Sequence, residues 1–160
     1  MKHTTRRHLF SAALLVLVFP AVTAAQDVMT PERLWEFQRI SSPAISPDGQ
    51  AFVYGVRSYD VGANKGNTDL WLRPVAGGEA RRLTNLDGSE SGAAWRPDGE
   101  WVGFLAGTDD GRQWHEIRPD GSDLRQVTAV PGGISNVQYS PDGGRISFTA
   151  PVKLDLTTIE

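Results

Sequence analysis

The chain contains no cysteine. That excludes a disulfide framework, a thiol nucleophile and a cysteine-bound zinc. Histidine is scarce as well: three in 160 residues, at His3, His8 and His115. Long hydrophobic runs are missing. The most extended, Leu9 to Val22, is interrupted by Ser11 and Pro20. It falls short of the ~20 residues that a membrane-spanning helix needs. Helical periodicity is also absent beyond the first forty residues.

What is present begins with an export signal. Lys2, Arg6 and Arg7 form a basic start, the apolar run follows, and Thr23-Ala24-Ala25 supplies small residues for cleavage. This is the layout of a secretory signal peptide, residues 1–25, with Gln26 as the expected mature start and no stable membrane anchor after removal. Thr5-Arg6-Arg7-His8-Leu9-Phe10 also fits a twin-arginine signal, so the expected route is Sec or twin-arginine. The protein is expected outside the cytoplasm, periplasmic or secreted. Without Lys2, Arg6 and Arg7, the 16 basic residues fall to 13 against 19 acidic ones, a formal charge of −6. No basic stripe remains, and nucleic acid is not an expected partner.

Residues 26–41 read as a lead-in segment. A short helix is expected from Thr30 to Ile40: Thr30 can cap it, Pro31 suits the first helical position, and Glu32 faces the positive end of the helix dipole. Pro43 keeps it from running on. From Ser42 the texture is all-β, with short strand-like runs between Gly/Pro/Asp turns.

One frame recurs. Ile45-Ser46-Pro47-Asp48-Gly49 is repeated as Trp95-Arg96-Pro97-Asp98-Gly99 and as Tyr139-Ser140-Pro141-Asp142-Gly143, with the prolines 50 and 44 residues apart. Proline presets the first corner of a turn, Asp bonds its own backbone, and Gly accepts a positive φ. Two residues before each proline stands a large apolar side chain. Five and seven residues after it stand two more: Phe52 and Tyr54, Val102 and Phe104, Ile146 and Phe148. A period of two places each pair on one face of a strand. The frame therefore predicts a hairpin with a buried face on both arms. A second hairpin is expected between frames, from Asp69–Pro74 to Arg81–Thr84 and from Trp114–Pro119 to Arg125–Thr128, with loops that differ by one residue. Two hairpins per repeat are four strands, which is one blade of a β-propeller. A β-sandwich built of similar hairpins is the rival reading.

The fold class expected is thus all-β, an incomplete β-propeller of about two and a half four-stranded blades over residues 42–160. The blades are drawn at about 42–90, 91–133 and an incomplete 134–160. That is too few to close a ring of the usual four to eight blades. The sequence reads as truncated, unless copies assemble.

The repeat resembles the Pro-Asp-Gly propeller repeats of TolB and of prolyl-oligopeptidase-family serine peptidases. The run from Met29-Thr30-Pro31-Glu32-Arg33-Leu34-Trp35 through Asn64–Leu72 and Gly77–Thr84 is similar to the start of the acylaminoacyl-peptidase/dipeptidyl-peptidase branch of that family. The resemblance implies a non-catalytic propeller that gates peptide access to a C-terminal α/β-hydrolase domain carrying the catalytic serine, aspartate and histidine. It implies peptide substrates for the parent enzyme. A TolB-like binding or scaffold propeller is the alternative, as is a truncated gene product without a function of its own.

No catalytic, cofactor-binding or metal-binding residue is assigned, and no cofactor is expected. A hydrolase nucleophile needs a Gly-x-Ser-x-Gly elbow on a strand-to-helix turn. Gly88-Ser89-Glu90-Ser91-Gly92 has Glu90 in the serine's place and reads as a connecting loop. His115 is the one histidine of the mature chain and reads as a strand residue. Asp109-Asp110-Gly111 lacks the spacing of a calcium loop and reads as a hairpin tip. Asp48, Asp98 and Asp142 repeat because the turn repeats. Trp35, Trp71, Trp95, Trp101 and Trp114 read as blade packing. No residue is assigned to holding a substrate's amino terminus.

Overall fold

The computed structural model of the chain describes residues 29–152. The expected signal peptide and the end of the third repeat lie outside them. The described chain opens with one helix, α1 (Pro31–Glu36). Ten strands follow: β1 (Arg39–Ile45), β2 (Ala51–Asp60), β3 (Lys65–Pro74), β4 (Arg81–Arg82), β5 (Ser91–Trp95), β6 (Val102–Thr108), β7 (Gly111–Ile117), β8 (Arg125–Gln126), β9 (Ser135–Tyr139) and β10 (Ile146–Thr149).

The strands make an antiparallel four-stranded sheet of β1-β2-β3-β4, a second of β5-β6-β7-β8, and a pair of β9 and β10. Each four-stranded sheet is two hairpins in chain order, as the repeats predict. The first strands of successive sheets, β1 and β5, then β5 and β9, are neighbours. The principal core fills the seam between the first two sheets: Val53, Leu70 and Leu83 meet Val102, Phe104 and Ile117. A second cluster joins Leu105, Trp114 and Ile134 to Val137, Tyr139 and Ile146.

The Pro-Asp-Gly turns are built from the bonds their residues can make. Asp48 Oδ1 accepts from the Ser46 hydroxyl at 2.5 Å and the Gln50 amide at 3.0 Å, and the Ser46 hydroxyl accepts from the Ala51 amide. Asp142, Ser140, Gly144 and Arg145 repeat the set. In the second turn Arg96 replaces serine and donates to Asp98 Oδ2 at 2.7 Å. The third turn residue stands at φ +70 in Gly49, +73 in Gly99 and +69 in Gly143, a region where a Cβ is strained.

Four expectations need correction. The helix expected as far as Ile40 ends at Glu36: Phe37 is already extended, and Arg39 and Ile40 pair with Arg57 and Val56 of β2. A six-residue helix with no buried side chain cannot compete with strand pairing that satisfies both backbones. The first sheet therefore begins before Ser42.

The loops of the second hairpins do not differ by one residue. Leu70 receives Leu83 and donates its own amide to Thr84 Oγ1; Trp114 receives Val127 and donates to Thr128 Oγ1. Both spans are 14 residues. Leu70 is the counterpart of Trp114, and Pro74 and Pro119 occupy different places along their strands.

The frame's buried face is one-sided. Trp95 and Tyr139 pack on the sheet before their own, whereas Ile45 has no preceding sheet among the described residues and is 68% exposed. Phe148 is exposed as well.

Trp35 is also not blade packing. It lies on α1, is 44% exposed, and meets the Tyr59 ring edge-on at 5.1 Å.

Candidate functional site

The tightest polar constellation lies where the second sheet meets the third. Trp101 follows the Pro97-Asp98-Gly99 turn and is buried. Three guanidinium groups surround its ring, Arg125 at 3.8 Å, Arg118 at 4.4 Å and Arg96 at 5.5 Å from the centroid. Glu116 on β7 is buried beside them. It accepts from Arg125 Nη2 at 2.5 Å and Nε at 3.0 Å, and its other oxygen accepts from the Tyr139 hydroxyl at 2.8 Å. That hydroxyl in turn accepts from the Trp114 indole at 3.2 Å. Burial, then the bond to Glu116, raises the Tyr139 phenol above its ordinary range. Arg96 is held by Asp98, and the bond from Arg96 holds the Asp98 carboxyl below its ordinary value. Arg118 pairs outside the cluster, with Glu100 at 3.1 Å and Asp123 at 3.6 Å. Its chemistry is cohesion: three cation–π contacts on one ring and a buried carboxylate with both oxygens bonded.

A second junction is lined by Thr84, Glu90 and Asp69. Thr84 Oγ1 donates to Glu90 Oε2 at 2.6 Å, and Arg82 pairs with Asp69 at 2.7 Å. A third feature is an open cleft of ≈ 390 Å³ between α1 and the β2–β3 hairpin, with Trp35, Arg57, Tyr59 and Lys65 in its walls. Arg39 lies over both rings and donates to the Tyr59 hydroxyl at 3.0 Å.

The residues singled out in the sequence are dispersed. His115 stacks on Phe104 at 5.8 Å, and its Nδ1 lies 3.1 Å from the Gln113 carbonyl. Gly88–Gly92 runs from a loop into β5, without the strand-to-helix turn of an elbow. Asp109 and Asp110 form the tip between β6 and β7. The five tryptophans form no common platform. Trp101 and Trp114 are buried, Trp95 packs on the first seam, and Trp71 is half-buried on β3. Among the described residues no group of three or more His, Cys, Asp or Glu side chains is placed to hold a metal, and no helix is long and apolar enough to cross a membrane.

Sequence reasoning did not single out Glu90 as a buried acid, or Glu116 at all. Nor did it see that each first strand carries a bulge at a residue of positive φ: Ser42 (+48), Gly92 (+63) and Asn136 (+52). The signal was available in the repeat, since these three residues stand at equal distances before the three prolines.

Two four-stranded antiparallel sheets in chain order, and the first hairpin of a third, are blades of a β-propeller. The fold is shared with the β-propeller domain of the Trilobed protease from Pyrococcus furiosus: TM-score 0.56 at 14% identity, over 70% of this chain and 34% of that one. It is shared too with a putative TolB from Agrobacterium tumefaciens, at TM-score 0.56 and 26% identity, over 70% of this chain and 38% of that one. No family model matches the chain. In sequence it is 33% identical to dipeptidyl-peptidase 5 of Porphyromonas endodontalis across 96% of its length, which is 24% of that protein. The chain is a propeller segment with homologues among the peptidases, as the order of its motifs predicts. It spans about a quarter or less of the curated dipeptidyl-peptidase 5 relatives it matches.

Proposed function

We propose that the chain is the non-catalytic propeller portion of an exported serine peptidase of the prolyl-oligopeptidase type. In this reading it admits peptides to a hydrolase domain supplied by the rest of the parent protein. That domain cleaves them through an acyl-enzyme, with dipeptidyl- or acylaminoacyl-peptidase specificity. The single observation that carries the reading is the match along 96% of the chain to only 24% of a dipeptidyl-peptidase. The setting of His115 supports the non-catalytic part: its ring is engaged with Phe104 and a backbone carbonyl, and a triad needs its histidine against a serine hydroxyl.

A fluorophosphonate probe tests the non-catalytic claim. The 160-residue chain is expected to stay unlabelled, and labelling of any serine overturns the reading. Reading the gene beyond the codon for Glu160 tests the parentage. Further Pro-Asp-Gly blades and then a Gly-x-Ser-x-Gly elbow are expected. Export is tested by N-terminal sequencing of the protein recovered outside the cytoplasm, with Gln26 as the expected first residue. Recovery of the uncut chain from the cytoplasm overturns it.

The 26% identity with the putative TolB favours a second reading, a binding or scaffold propeller. Blades that close and are followed by a stop, with no elbow, would decide for it.

A further inference from the structure

One position breaks the rule that the repeat otherwise keeps. Ile40, Glu90 and Ile134 stand at the same place in the three sheets, seven residues before the three prolines. The hydrogen bonds confirm the equivalence of the last two. The Glu90 amide donates to the Thr68 carbonyl at 2.9 Å and the Ile134 amide to the Arg112 carbonyl at 2.8 Å. Thr68 and Arg112 each stand two residues before the counterparts Leu70 and Trp114. An apolar side chain suits a site between sheets, and Ile134 is buried there. Glu90 is also buried, at 1% exposure, and brings a carboxyl group instead.

The carboxyl is half satisfied. Oε2 takes the Thr84 hydroxyl, while Oε1 has no hydrogen-bond partner among the described residues. The second sheet solves the same problem without an acid. There the Thr128 hydroxyl donates to Gln113 Oε1, and Gln113 also bonds both the amide and the carbonyl of Val130. Gln113 is the counterpart of Asp69, so the seam between the first two sheets holds two acids where the next seam holds an amide and an isoleucine. The charged groups facing Glu90 are Asp69 on β3, Arg82 on β4 and Arg112 on β7. Neither cation is bonded to it. Arg82 is taken by Asp69, and Arg112 Nη2 by Ser89, Ser91 and Leu105. Burial lifts the Glu90 carboxyl to about 7; the Thr84 bond opposes the lift, Asp69 adds to it, and the two arginines oppose it.

We propose that Glu90 is a proton-operated latch between the first two blades: uncharged, it fills the seam as Ile134 does in the next repeat, and ionised, it is a buried anion with no cation bonded to it and the seam loosens. The proposal stands on this chain's own repeats and is independent of the peptidase reading. The direction of its pH dependence follows from linkage. A carboxyl raised in the folded state binds its proton more tightly there than in the unfolded chain. Stability is therefore full below the ordinary value of 4.5, falls as pH rises toward about 7, and is level above that.

Thermal unfolding of the full 160-residue chain between about pH 5 and pH 8 tests this. The melting temperature is expected to fall from about pH 5 to about pH 7 and then to level off in the parent chain and in the exposed control Glu79→Gln, and to stay level throughout in Glu90→Gln, which keeps the shape and cannot ionise. Equal slopes in the parent and Glu90→Gln overturn the latch. Should Glu90→Gln not fold, a carboxyl-carbon NMR titration of the parent chain decides. A Glu90 midpoint well above those of the exposed glutamates supports the latch, and a midpoint among them overturns it.

Discussion

The Trp95 indole donates to the carbonyl oxygen of Ala44 at 3.0 Å, from the last residue of β5 to β1 of the preceding sheet. The bond caps a carbonyl beside the β1 bulge and ties two blades through one side chain. Trp95→Phe keeps an aromatic six-membered ring, removes the donor and gives up part of the indole packed on the first seam. It is expected to cost at least about 1 kcal/mol, the usual worth of such a bond, read by urea unfolding with an unchanged m-value.

Gly103 faces the next seam, where its counterpart in the first sheet is Val53. The exchange is volume for volume: Val53 with Leu70 in one sheet, Gly103 with Trp114 in the other. A Cβ at Gly103 would run into the Trp114 ring and the Tyr139 hydroxyl. Gly103→Ala is expected to destabilise by about 1–3 kcal/mol, as overpacking does. Gly107→Ala, with open space around the added carbon, is the control and is expected to unfold like the parent.

Tyr139 supplies the proton that satisfies Glu116 Oε1. Tyr139→Phe leaves that buried oxygen short of a donor and the Trp114 indole short of an acceptor. The expected loss is about 1–3 kcal/mol in chemical denaturation. Arg125→Ala should lose less than additively in combination with it, because both side chains serve one carboxylate.

The turn aspartates set the acid limb. Asp48 and Asp142 are held below their ordinary value of 3.8 chiefly by the hydroxyls of Ser46 and Ser140, and Asp98 by Arg96. A lowered folded-state value means that the stabilisation is present above 3.8 and is lost as pH falls below it. Acid unfolding followed by circular dichroism is expected to begin below that point. Asp98→Asn should flatten the acid limb and leave the behaviour near neutral pH unchanged.

The parts of the fold that were legible are those whose causes are local. Pro-Asp-Gly specifies its own turn through bonds within five residues, so three copies announced three hairpins. Thr30 and Pro31 announced the helix start for the same reason. What could not be read depends on partners far along the chain. The stop of α1 is set by Ile40 pairing with Val56, and the second-hairpin register by Thr84 and Thr128, not by Pro74 and Pro119. Glu90 stands in Gly88-Ser89-Glu90-Ser91-Gly92, at the place a serine elbow gives to its nucleophile. Its meaning appears only when it is set against Ile134, 44 residues away, and when both side chains are seen to be buried between sheets. The cluster around Trp101 was invisible because Arg96, Arg118, Arg125 and Glu116 come from three different segments, and no spacing in the sequence brings them together.

Two of the side chains that stand two residues before a proline look backward, Trp95 to the first sheet and Tyr139 to the second. A blade therefore does not carry its own lid; its successor delivers it. Synthesis runs in the same direction. While a nascent chain lengthens, the newest sheet is always the uncovered one, and Val53 and Leu70 wait until Val102 and Phe104 have been made. Completion of each blade is thus a matter of timing, set about fifty residues downstream of its own turn.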